Sequence, residues 1–259
     1  MQIHQSRLSG WRKPIDKQYA DIPLCLCSFV SGLCDSASFN ASSVFVSMQT
    51  GNTLFLAIGA ARLPPNVPYM WLRAITSIGC FMLGCFCFSK LRHVEPLRKG
   101  TLAFNFFTQG VFIFVAAALA QSGVVSAMAD LHVAERLAGE LHFDFNLLIP
   151  IALLAFQFGG QIVTSRMLGY NEVPTNVLTS LYCDLFSDPN LISPWSSNPK
   201  RNRRVFSAVL FFLGGLSGAW LAKSDAGMGT ALWIGGALKL VIALAWLVWK
   251  EKDVAFEKN

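Results

Sequence analysis

Asp35 is the sole carboxylate in the otherwise uncharged stretch of residues 22–60. It is followed by Asn40-Ala41-Ser42-Ser43, and further on by Thr50-Gly51-Asn52-Thr53 within a second apolar run. In a low-dielectric setting a carboxylate must be hydrated, paired, protonated or hydrogen-bonded, and ionisable groups there tend to be functional. Thr50 is a candidate N-cap for a helix running to about Arg62. The free N–H groups at such a start carry partial positive charge and suit an anion or a polar group. Gln157, Gly160, Gln161 and Thr164 share one face of a later apolar run, and Thr179 and Ser180 follow it. These residues suggest a polar binding path, with Asp35 as the proton- or ion-responsive group. Thr50, Gly51, Asn52 and Thr53 would line one wall of it, and Gln157, Gln161 and Thr179 the other. Asp35→Asn is then expected to stop solute movement without unfolding the protein.

The elements that must carry these residues are membrane-spanning. The chain is 53% hydrophobic and only 14% charged, against roughly 25% charged in an average soluble domain. Its charges fall in short clusters between long apolar runs, the pattern of spanning helices. The net charge of +6 sits mostly in the flanks of those runs. It is therefore read as a topology signal, with the lipid bilayer as partner and no nucleic acid. Cys25-x-Cys27 and Cys85-x-Cys87 lack zinc-finger spacing and read as packing residues, so no metal and no cofactor are expected.

Residues 1–21 form a polar tail, expected to be disordered and cytoplasmic, with no apolar signal-peptide core; the first span would act as an uncleaved anchor. Spans are expected over residues 22–39, 69–90, 101–121, 145–168, 205–222 and 230–249. Residues 44–61 and 171–188 are two shorter, broken or re-entrant elements, with Pro174 suited to a first helical turn. The fold class is thus all-α, a polytopic membrane helix bundle of about six spans. Lys239 lies mid-span, either reaching an interface or pairing with an acid, and Trp246 and Trp249 read as interface anchors. Gly214-x-x-x-Gly218 permits close helix approach, and a homo-oligomer is left open.

A shift of about 128 residues sets Gly32 on Gly160 and Thr50-Gly51 beside Thr179-Ser180. The chain therefore divides into a first repeat half at 22–121, a polar connecting loop at 122–144, a second half at 145–249 and a tail at 250–259. The basic stretches at 90–99 and 200–204, with both tails, belong on the cytoplasmic side. The loop at 122–144, with Asp130, Glu135, Glu140, Asp144, His132 and His142, falls outside by elimination, and so do Arg62 and Arg73. Three spans per half make the halves inverted; a full crossing by residues 44–61 would make them parallel.

The stretch Gly32-x-x-Asp35, Val44-Phe45 and Thr50-Gly51-Asn52-Thr53 resembles the opening signature of the YoaK-like family of microbial membrane proteins, built on a domain of unknown function. Its second signature is matched in part, by Gly159-Gly160-Gln161, Arg166 and Thr179-Ser180 through Leu185; Ile162 and Ser180 stand where the family has Asn and Gly. The resemblance covers about residues 22–249 and implies a multi-span membrane protein without supplying a substrate. A small secondary transporter or channel-like protein for a polar or anionic solute is the leading expectation, with a non-transporting scaffold or assembly factor as the alternative. No catalytic motif falls within the spans, so no enzyme is expected. The sequence leaves open which membrane holds the protein.

Overall fold

A computed structural model describes residues 10–65, 67–129 and 144–252. Eight helices carry the architecture. They are α1 (Asp21–Ser42), α2 (Gln49–Ala60), α3 (Met70–Ser89), α4 (Lys99–Gln121), α5 (Leu148–Leu168), α6 (Leu178–Phe186), α7 (Pro199–Lys223) and α8 (Gly227–Val248). All except α2 and α6 are long and apolar enough to cross a bilayer. Residues 130–143 of the connecting loop, with His132 and His142, lie outside the described residues.

Both short helices re-enter. α1 stops where Ser43 turns left-handed at φ 58° and its N–H caps the Phe39 carbonyl. Arg73 at the head of α3 donates to the Ser42 carbonyl at 2.9 Å, so these two helix ends share one level. The chain then folds back along α1 until Val46 and Ser47 reach Asp35, about 10 Å deep at 1.5 Å per residue. α2 begins at that depth, with Asn52 against Ser77, and climbs out so that Gly59 packs on Trp71. At about 18 Å, α2 could not cross the hydrocarbon core.

The second re-entry starts from the other end of the bundle. α5 ends at Gly169, φ 87°. Ser165 Oγ donates to the carbonyls of Tyr170 and Val173 at 3.1 and 2.6 Å, folding the loop back against the helix. The loop climbs to Thr175, level with Gln161, before α6 returns. Pro174 therefore lies in the loop rather than in a first helical turn, because Ser165 holds that segment non-helical. Thr50 does not cap α2 either: the cap position is Met48, without a side-chain bond, and Thr50 is already inside the helix.

Helix pairing joins elements far apart in the chain. α1 packs along α7, α3 along α5, and α4 antiparallel to α8. Glycines set the first two contacts. A Cβ on Gly32 would fall 2.0 Å from the Phe211 carbonyl oxygen, and one on Gly214 the same distance from that of Phe29. At α3 and α5, Gly84 and Gly159 stand in the same relation to the Phe156 and Phe81 carbonyls, at 2.0 and 2.3 Å. The Gly214-x-x-x-Gly218 face is thus used within the chain, against α1. Gly32→Val and Gly84→Val are each expected to cost about 3 kcal/mol by forcing backbones apart. Gly79→Ala, with nothing within 4 Å of its Cβ, should cost far less. Thermal unfolding in detergent micelles tests this, and equal stability of all three variants would contradict the crossings.

Residues 10–20 depart from the expected disordered tail. Ile15 N–H donates to the Leu97 carbonyl at 2.9 Å, and Lys252 N–H to that of Pro14 at 3.0 Å. Ile15 is 2% exposed and joins an apolar cluster with Leu24, Phe106 and Trp246. Trp246 is therefore core rather than an interface anchor; it stacks on Phe106 and lies tilted against Trp249. Both described termini, the 90–99 segment and the head of α7, where Arg203 pairs with Asp21, meet at one end of the bundle, called here the basic end.

Glu251 ties that end together through Lys13 and Lys99 at 2.7 and 3.2 Å. Those hydrogen bonds, Lys13 first, hold its carboxyl below the ordinary 4.5. Because the folded value is depressed, the stabilisation is complete at neutral pH and is lost as pH falls through that depressed value. Amide exchange at Ile15 and Lys252 should therefore accelerate only in acid below that range. In Glu251→Gln it should be fast already at neutral pH; unchanged exchange in that variant would exclude the clamp.

Candidate functional site

The eight sequence candidates divide into three groups. Asp35 and Asn52 hold the first re-entrant loop. Asp35 Oδ1 accepts from the N–H groups of Val46 and Ser47, each at 2.8 Å, and Oδ2 accepts from Ser47 Oγ at 2.6 Å. Asn52 accepts from Phe45 N–H at 2.9 Å and donates to the Phe45 carbonyl at 2.7 Å. Its Nδ2 also reaches Ser77 Oγ at 3.0 Å. An extended loop inside an apolar bundle needs its backbone groups satisfied, and these two side chains do so.

Thr50, Thr53 and Thr179 are exposed on the outside of the helices, and Gly51 is half-buried against the Phe45 ring. The structure thus does not gather Thr50, Gly51 and Thr53 around Asp35. Of the third group it joins Gln161 to Lys239, while Gln157, one turn away on α5, is buried without a hydrogen-bond partner.

Lys239 is 0% exposed, so it does not reach an interface; nor does it pair with Asp35, whose oxygens are held by Val46 and Ser47. Its Nζ donates to Gln109 Oε1 at 2.6 Å and Gln161 Oε1 at 2.5 Å, with Cys27 Sγ at 3.9 Å. The Phe106 and Phe158 rings lie 5.3 and 5.9 Å away, within cation–π range. Among the described residues no carboxylate is its ion-pair or hydrogen-bond partner. The amides pass the polarity outward. Gln161 Nε2 donates to Ser31 Oγ on α1 and to Thr175 Oγ1 at the second re-entrant tip, at 2.8 and 2.9 Å. Gln109 donates to Asn105 at 2.8 Å, and Asn105 to Thr164 at 2.6 Å. Ser31 lies one helical turn from Asp35, so polar groups run from the first re-entrant tip to the second. Arg166, at the basic end of α5, bonds to Asn171 instead.

Sequence reading missed Asn105, Gln109, Thr175 and Asn176. The signal was present for two of them: Asn105 and Gln109 are four residues apart on one face of an apolar span.

Six apolar spans, two short helices that re-enter from opposite ends, and a polar centre sealed between them define a polytopic integral membrane protein. The chain belongs to the DUF1275 family of proteins of unknown function, whose sequence profile matches residues 24–245; the YoaK-like name fits this family. No curated protein and no solved structure matches it.

Proposed function

We propose that the protein is a small secondary transporter whose two halves are inverted repeats enclosing the Lys239 centre, and that it carries a small polar or anionic solute. The observation that carries this reading is a fully buried lysine amine met by neutral amides, between two re-entrant tips that approach from opposite ends. In known transporter architectures, broken helices of two inverted halves supply the binding site near mid-membrane. The exchange of partners fits such halves: the α1–α7 contact corresponds to α5–α3, and each turns on a glycine against a Phe carbonyl. Gln109 on α4 and Lys239 on α8 stand about 130 residues apart and face each other. The glycine-sealed crossings also suit the alternative, a rigid scaffold with no moving solute.

Purified protein in vesicles decides between them. A transporter takes up at least one member of a panel of labelled small anions and zwitterions saturably and faster than protein-free vesicles. Uptake at the protein-free rate for the whole panel overturns the transport reading and leaves the scaffold.

A further inference from the structure

The centre contains more hydrogen-bonding capacity than its own side chains use. Gln157 is 0% exposed and lies one turn from Gln161 on α5. Asn176 is 2% exposed and adjoins Thr175, the residue that Gln161 holds. The amide nitrogen and oxygen of both side chains lack a partner among the described residues. Buried amides in native proteins are almost always satisfied, by protein, water or ligand. Two amide groups thus stand unpartnered one turn along α5 from Gln161 and one residue along the chain from Thr175, and Lys239, which Gln161 also holds, has no carboxylate among its partners.

We propose that this is a binding site for a small carboxylate carrying its own hydrogen-bond donor, a 2-hydroxy acid being the simplest case. The carboxylate compensates Lys239 and accepts from Gln157 Nε2 and Asn176 Nδ2, while the ligand hydroxyl donates to one of the amide carbonyls. A plain carboxylate leaves those carbonyls unfilled, and a neutral amide leaves the ammonium uncompensated. The role of the site rests on the transport reading; its existence does not.

The test is thermal unfolding of the full chain in detergent with glycolate, acetate or acetamide, since a ligand of the native state raises its apparent stability with concentration. Glycolate should raise the midpoint, with acetate about tenfold weaker and acetamide without effect. Gln157→Leu should unfold no earlier than wild type without ligand and should lose the glycolate shift; Asn176→Ala should weaken it. No shift with glycolate, equal shifts with all three solutes, or an undiminished shift in both variants overturns the site. Should the variants misfold, the ranking of the three solutes on the wild-type protein decides alone. Binding in detergent without uptake into vesicles overturns transport and keeps the site. Uptake of other solutes without glycolate binding does the reverse.

Discussion

Asp35→Ala is expected to destabilise the protein by about 3–5 kcal/mol, whereas Asp35→Asn should cost only about 1 kcal/mol. The carboxylate accepts three hydrogen bonds, two of them from the backbone of a loop that has dipped into the bundle. Alanine leaves the Val46 and Ser47 N–H groups buried and unsatisfied, which carries their full desolvation cost. Asparagine keeps one carbonyl oxygen for both N–H groups, and the Ser47 hydroxyl can turn to accept from the new amide. A clamp predicts the opposite of the expectation drawn from sequence, in which Asp35→Asn stops solute movement. A carboxylate that acts as a clamp tolerates its amide, and a carboxylate that must carry a proton does not. Unfolding in detergent and vesicle uptake, measured on both variants, separate the roles. Asp35→Asn with wild-type stability and no flux would restore the proton-coupling role; Asp35→Ala with wild-type stability would remove the clamp.

The spans were legible because long apolar runs bounded by charge have few other readings in a chain so poor in charged residues. Re-entry was legible in part, because residues 44–61 are polar at the middle and α2 is too short to cross. Where the turn-back occurs was not legible. By its neighbours in the sequence Asn52 reads as a wall of the path, yet it folds onto Phe45 and α2 starts at Gln49. That choice depends on Asp35 reaching backward across the loop, which no local pattern encodes. The glycines announced close approach but not its partner, so Gly32 and Gly214 meeting across the halves could not be read from either helix alone. Lys239 is conspicuous in the sequence, but its meeting with Gln109 and Gln161 is encoded in no single helix. Asn105 and Gln109 are neutral and sit in a span apolar enough to pass without comment. Residues 10–20 failed differently: their order comes from pairing with Arg98 and Glu251, far away in the chain.

Lys239→Met is expected to reduce saturable uptake to the rate of protein-free vesicles while changing stability by no more than about 2 kcal/mol. Two effects on stability oppose each other. Methionine nearly fills the space of the lysine stem and removes a buried amine that has no carboxylate partner, a change that often stabilises. It also leaves Gln109 Oε1 and Gln161 Oε1 without their donor, at about 1 kcal/mol each for bonds between transmembrane helices. The Gln161 amide is still held from its other side by Ser31 and Thr175, so the second re-entrant tip keeps its anchor. Flux has no such compensation, because an apolar side chain at the junction of α1, α4, α5 and α8 offers an anion nothing in place of the ammonium. Lys239→Gln, which retains a donor but no charge, distinguishes polarity from charge: uptake in Gln but not in Met would assign a neutral solute, and loss in both an anion. In a scaffold Lys239 would be only a costly polar contact, and its removal would touch neither flux nor assembly. Saturable uptake surviving undiminished in Lys239→Met would therefore move the solute path away from this centre, whatever its effect on stability.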